Sequence, residues 1–248
     1  MFKSFLGMMV LVGTALAQEK AQKTVVLVHG AFADGSSWDK VIPLLQAKGL
    51  KVVAVQNPLT SLTDDVAAAN RVIAEQSGPV ILVGHSWGGT VITEAGGDAK
   101  VAALVYVAAF APDAGEMSGD LGKGGPPPPG SANIRPDSAG FLYLTPEGVA
   151  KDFAQDLPAA QTKVMAVTQG PIFAKAFGER VTNAAWKSKP SWYIVAEKDR
   201  MIQPDLERAM AKKINAKITT LPTSHVPMLS RPNDVATVIL AAAAAVQQ

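Results

Sequence analysis

Val80-Ile81-Leu82-Val83-Gly84-His85-Ser86-Trp87-Gly88-Gly89 is the stretch on which the reading of this chain turns. Four consecutive apolar residues predict a strand buried on both faces, the kind found inside a parallel sheet. The Gly-x-Ser-x-Gly pattern from Gly84 to Gly88 is short enough to recur by chance, so its flanks decide its meaning. A strand ends directly before it, and a helical stretch from Thr90 to about Ala95 follows. In that setting the serine sits on a tight strand-to-helix turn that tolerates only small residues two positions to either side. The strained turn lifts the hydroxyl off the sheet, above a helix N-terminus that favours developing negative charge. Ser86 is the candidate nucleophile.

Outward from this stretch, strand-like and helix-like segments alternate. Thr24–Val28, Lys51–Val55, Val101–Ala108, Ser191–Val195 and Lys217–Leu221 join Val80–Val83 as six predicted strands. Ser36–Lys48, Asp64–Gln76, Asp205–Ile214 and Asn233–Val246 carry helical apolar spacing. The pattern predicts an α/β fold with a mostly parallel six-stranded sheet and helices on both faces. Residues of about 111–189 break the alternation. Gly and Pro crowd Gly115–Gly130, including Pro126–Pro129, helical pieces are expected near Pro146–Asp156 and Ala159–Val167, and no strand is expected before Ser191. Apolar residues keep recurring there (Phe141, Phe153, Phe173, Trp186), which predicts a cap packed over the sheet rather than a linker between domains.

The chain has 248 residues, 48% of them hydrophobic, enough for one substantial core. Its 23 basic and 21 acidic residues are scattered, without the basic stripe that nucleic acid requires. With no cysteine there is no disulfide and no thiolate site, and three histidines give no metal-binding cluster. Lys3, the apolar run Phe5–Ala17 and the small residues Ala15 and Ala17 read as a secretory signal peptide over 1–17. The run is shorter than the roughly 20 residues of a membrane span. The expectation is a mature 18–248 domain, periplasmic or secreted, with no membrane association after cleavage. Nothing in the sequence sets an oligomeric state.

A serine hydroxyl needs a base within hydrogen-bond reach. His85, next to the nucleophile, is expected to point away from it, and His29 reads as a loop-bracing residue at the end of the first strand. His225 lies after the last strand, in a loop between Pro222 and Pro227, and is the candidate general base. The acid that orients it should lie between the two in sequence, at the end of a strand. Asp199 fits that position, with Glu197, Asp205 and Asp113 as rivals. Oxyanion donors are expected from the backbone N–H groups of Trp87 and Ala31. Phe32, Trp87 and Phe110 are candidate substrate-binding residues.

Together these residues resemble the α/β-hydrolase superfamily over nearly the whole chain beyond residue 17. Val26-Leu27-Val28-His29-Gly30-Ala31-Phe32 with Trp38, the run Val105–Asp113, and Tyr193–Asp199 are similar to the subgroup of plant methyl-ester esterases, hydroxynitrile lyases and bacterial relatives. The resemblance implies the α/β-hydrolase fold, an ester as small-molecule substrate, hydrolysis of small to medium carboxylic esters through an acyl-enzyme, and no cofactor. Val226 stands where the lyases carry a lysine, and Gly30-Ala31 where they carry a bulkier hydroxyl residue, which favours esterase over lyase. The same triad leaves lactonase, amidase, C–C hydrolase and cofactor-free haloperoxidase chemistry open, as well as a receptor-like module with little turnover. The cap, with its proline run, is unlike that of the plant enzymes, so no substrate is carried over. Activity is expected to rise from acidic toward neutral pH, since His225 must be neutral to act as base.

Overall fold

The computed structural model describes residues 22–246. The segment read as a signal peptide lies outside them. In chain order the strands are β1 (Thr24–Val28), β2 (Lys51–Val55), β3 (Val80–His85), β4 (Val101–Val107), β5 (Ile134–Pro136), β6 (Phe141–Leu144), β7 (Ile172–Phe173), β8 (Ser191–Ala196) and β9 (Lys217–Leu221). The helices are α1 (Ile42–Gln46), α2 (Leu62–Ala74), α3 (Trp87–Ala95), α4 (Pro146–Gly148), α5 (Ala159–Thr168), α6 (Pro204–Lys213), α7 (Pro227–Ser230) and α8 (Pro232–Ala245).

Six strands form the predicted sheet, in the order β2-β1-β3-β4-β8-β9 and parallel throughout. β1 and β3 are neighbouring interior strands buried along their whole length, which is why they read as apolar runs. The chain steps outward from β1 to β2, then reverses and works across through β3, β4, β8 and β9. Right-handed crossovers in opposite directions place α1 on one face and α2 and α3 on the other. α1 packs with α8, and α2 with α3. The reversal makes a crevice between the carboxyl ends of β1 and β3, the place where open α/β sheets bind ligands. His29-Gly30-Ala31 and Ser86 sit there.

Two local departures from the sequence reading have simple causes. The stretch Ser36–Lys48 is not one helix but a 3₁₀ turn, Gly35–Trp38, followed by α1. Pro43 has no N–H to donate, so the α-helix forms around it only as a first-turn residue. Residues between β4 and β8, expected to contain no strand, hold a small antiparallel sheet of β5, β6 and β7. Its strands are only two to four residues long, and β6 and β7 are separated by α4 and α5, so no local periodicity announces them.

This insertion is fastened to the body at several points. Phe173 N–H donates to Leu59 O (2.8 Å) and Phe32 N–H to Gly170 O (3.0 Å). Glu179 accepts from the amide of Leu62 (3.0 Å), at the start of α2. No helix among the described residues is long and apolar enough to cross a membrane.

Candidate active site

Ser86 links β3 to α3 with φ 53° and ψ −121°, a conformation that costs a non-glycine residue about 1–3 kcal/mol and persists only where its surroundings enforce it. They do. Its N–H donates to Val107 O (3.2 Å), and its carbonyl accepts from Gly89 (2.9 Å) and Phe110 (3.2 Å). A Cβ on Gly84 would come within 2.4 Å of Gly88 O, and one on Gly88 within 2.6 Å of Val28 O. Both glycines of the motif are therefore required by backbone crowding. A Cβ on Gly30 would meet Ser86 Cβ at 2.7 Å, so the loop after β1 lies directly against Ser86.

Asp199 and His225 meet at the ends of the neighbouring strands β8 and β9. His225 Nδ1 lies 2.5 Å from Asp199 Oδ2, with both side chains buried. The other carboxylate oxygen accepts the amides of Met201 (2.7 Å) and Ile202 (2.9 Å). Four lone-pair sites on a buried carboxylate are thus served by three donors that also fix its plane. Since a carboxylate only accepts, Nδ1 carries the proton and Nε2 is left as the basic nitrogen. Ser86 Oγ and His225 Nε2 share no hydrogen bond in this structure; such contacts commonly tighten only once substrate is bound.

The rival carboxylates are engaged elsewhere. Asp113 pairs with Lys187 (2.5 Å), and Glu197 and Asp205 are exposed, both facing Arg208. His29 braces its own loop, Nε2 accepting from Asn57 N–H (2.9 Å) while Nδ1 faces Gly30 O (2.9 Å). Burial holds its imidazole below the ordinary range.

His85 does not simply point away. Its ring is 4.8 Å from that of His225, centroid to centroid, and its Nε2 lies 2.8 Å from the backbone carbonyl of His225. A carbonyl only accepts, so Nε2 is protonated. Complete burial, with the neighbouring His225 adding to it, holds His85 well below the usual imidazole range, so the ring is neutral and Nδ1 is a bare acceptor without a partner. The sequence signal that could have exposed this role is that a side chain at a strand's last position must lie among the loops at the sheet's carboxyl edge.

The expected oxyanion donors, the N–H groups of Ala31 and Trp87, donate to no other group among the described residues. The amide of Phe32 is already committed to Gly170, and Phe32 itself has a positive φ of 60°. The Trp87 ring is fully buried, its Nε1–H donating to Asp65 Oδ2 (2.7 Å) and its face packing edge-on to Phe177 of the cap (5.1 Å). It ties α2, α3 and the cap together. Asp65 also accepts from Leu59 N–H (2.7 Å), and burial pushes its carboxyl up to about 6. Phe110 is half-buried, with its amide on Ser86.

Beside Asp199 lies Glu207, fully buried on α6, its Oε2 accepting from Ala196 N–H (2.9 Å) at the end of β8. Burial first, and the adjacent Asp199 second, hold this carboxyl well above its ordinary range. No group of three or more potential metal ligands occurs among the described residues.

Residues 25–238 match the profile of a family described as the alpha/beta hydrolase family. Methylesterase 3 of Arabidopsis thaliana is 26% identical over 91% of this chain and 97% of its own length. An alpha-hydroxynitrile lyase from the same plant is 28% identical over 84% of this chain and 92% of its own. A crystal structure of a pyrethroid hydrolase from Sphingobium faniae JZ-2 superposes with a TM-score of 0.77, at 25% identity, covering 90% of this chain and 98% of that one. With the match spanning the sheet, the elbow and the strand ends that bear Asp199 and His225, this chain belongs to the alpha/beta hydrolase family.

Proposed function

We propose that this protein hydrolyses small to medium carboxylic esters through an acyl-enzyme formed on Ser86. The observation that carries the reading is the buried Asp199–His225 pair at the same sheet edge as a serine held in a strained elbow. Ser86 Oγ attacks the ester carbonyl as His225 Nε2 takes its proton. Asp199 keeps Nδ1–H in place and stabilises the imidazolium without becoming protonated. The N–H groups of Ala31 and Trp87 receive the oxyanion, each such donor contributing about 3 kcal/mol in the transition state. Collapse breaks the carbonyl–alkoxy bond, and the imidazolium proton goes to the departing alcohol. Water, deprotonated by the same nitrogen, then releases the acid and restores the serine.

The methylesterase and pyrethroid hydrolase relatives favour this reading over the lyase one, as does Val226 beside the catalytic imidazole. The N-terminal apolar segment supports an exported protein, working in the periplasm or outside the cell. Purified protein should take up a fluorophosphonate at Ser86 and turn over p-nitrophenyl acetate, and Ser86→Ala should abolish both. Failure of wild-type protein to do either would overturn the proposal, and N-terminal sequencing of exported protein, expected to begin at Gln18, tests the export reading.

A further inference from the structure

Two cavities lie among the loops at the carboxyl edge of the sheet, neither of them lined by Ser86 itself. One, of about 380 Å³, lies on the β1 side and mixes Phe32 and Met165 with Asp34, Asp39 and Lys40. The other, of about 530 Å³, lies on the β4–β8 side and is walled by Phe110, Leu121, Ile134, Phe177, Met201 and Leu206, with a floor of Gly122–Pro128. That floor belongs to the proline-rich stretch for which the resemblance offered no counterpart. It is stapled to the start of α6 by Gln203 Nε2–H, which donates to Pro126 O (2.6 Å).

Several residues lining this larger cavity are tied to the proposed reaction centre or to α3 beside it. Phe110 donates its amide to the carbonyl of Ser86. Met201 and Ile202 hold Oδ1 of Asp199. Ser118, another lining residue, meets Thr90 of α3 through their hydroxyls (2.5 Å), and Phe177 packs against Trp87. Lys123 is the one charged residue in the lining, and it is exposed and already paired with Asp120. An anionic group would find no free partner here, whereas a hydrocarbon would find a mostly apolar lining. The volume falls within the roughly 300–1,000 Å³ of small-molecule sites.

We propose that this cavity receives one uncharged, apolar arm of the ester, a hydrocarbon chain or ring of medium size, and so sets the chain's substrate preference. The inference rests on Ser86 being the residue acylated. Burying a methylene in such a pocket is expected to raise kcat/KM by about fourfold per added carbon until the space is full.

The test is a ladder of p-nitrophenyl alkanoates from acetate to decanoate and a parallel ladder of alkyl acetates, run on wild type, Leu206→Trp and Leu206→Ala. Leu206 lines the cavity from α6, where a Cβ on Gly122 would touch it (2.9 Å), and takes no part in the proposed chemistry. Wild type should climb along one ladder, which tells acyl arm from alcohol arm. Leu206→Trp should lower the long-arm esters at least tenfold while leaving acetate within twofold, and Leu206→Ala should move the optimum to longer arms. A flat wild-type response on both ladders, or equal effects of the two variants on short and long esters, would overturn the inference. Loss of acetate turnover and of fluorophosphonate labelling in wild type would instead remove the acyl-enzyme reading beneath it.

Discussion

The imidazole of His85 donates its Nε2–H to the backbone carbonyl of His225, 2.8 Å away. The residue before Ser86 thereby holds the main chain of the residue proposed to deprotonate it. His85→Phe keeps an aromatic ring in the same slot but removes the donor, leaving a buried carbonyl unpaired at a cost of about 1–3 kcal/mol. The His225 loop should shift and kcat should fall roughly 10- to 100-fold with KM within twofold, because small misplacements of a reacting group are costly. Steady-state kinetics with a melting curve checks this. A wild-type kcat in a folded variant would show that the loop does not need the bond.

Asp199→Asn should reduce kcat by about 10³- to 10⁴-fold. The amide can offer His225 Nδ1 either an acceptor or an N–H, and the second choice puts the imidazole proton on Nε2, where the base is needed. Its Oδ1 must also keep the amides of Met201 and Ile202, which favours the amide NH₂ facing the ring. Burst and steady-state rates on p-nitrophenyl acetate measure the loss. A decrease of less than tenfold would mean that another group orients the ring.

Asp65 predicts a pH-dependent stability. Its folded-state value of about 6 lies above the ordinary 3.8, so the folded chain holds this proton more tightly than the unfolded one. For a raised acid, the favourable contribution is complete below about 3.8 and is lost as pH climbs through about 6. Relative to Asp65→Asn, the wild type should therefore lose up to about 3 kcal/mol between pH 4 and 7. Urea unfolding of both proteins across that range reads the difference, and a difference that does not change with pH would sink the assignment.

Gly30→Ala should be far more harmful to activity than an added methyl usually is. The new Cβ would strike Ser86 Cβ at 2.7 Å and His85 O at 2.9 Å, neither of which can yield without moving the elbow. At least a hundredfold loss of kcat/KM is expected, with a lowered Tm. Near-normal turnover would show that the loop after β1 has freedom the packing does not suggest.

The main sheet is legible in the sequence because its inner strands are buried on both faces and leave uninterrupted apolar runs, such as Val80–Val83. Ser86 is legible because backbone crowding demands glycine at 84 and 88, which leaves a written pattern. The pairing of residues 199 and 225 follows from strand ends that the topology makes neighbours. Other features leave no such trace. The cap sheet depends on pairing between Leu142 and Ile172, 30 positions apart in sequence. His85 could be judged only by its neighbour in the chain, whereas its partner lies across the sheet edge. Glu207 looks like one more charged residue of an amphipathic helix, although its place on the stripe with Met210 and Ala211 aims it inward. Trp87 reads as a pocket aromatic because of its adjacency to Ser86, yet helix geometry turns its ring toward Asp65.

The turn after β8 hangs two tasks on one short piece of main chain. Residues 201 and 202 hold the Asp199 carboxylate through their N–H groups and also line the hydrocarbon-rich hollow. Whatever presses on that wall is felt by the Asp199 carboxylate, and through it by the imidazole of His225. Remodelling the hollow for bulkier guests is therefore safest from the α6 and proline-rich sides, where volume can change without disturbing proton transfer.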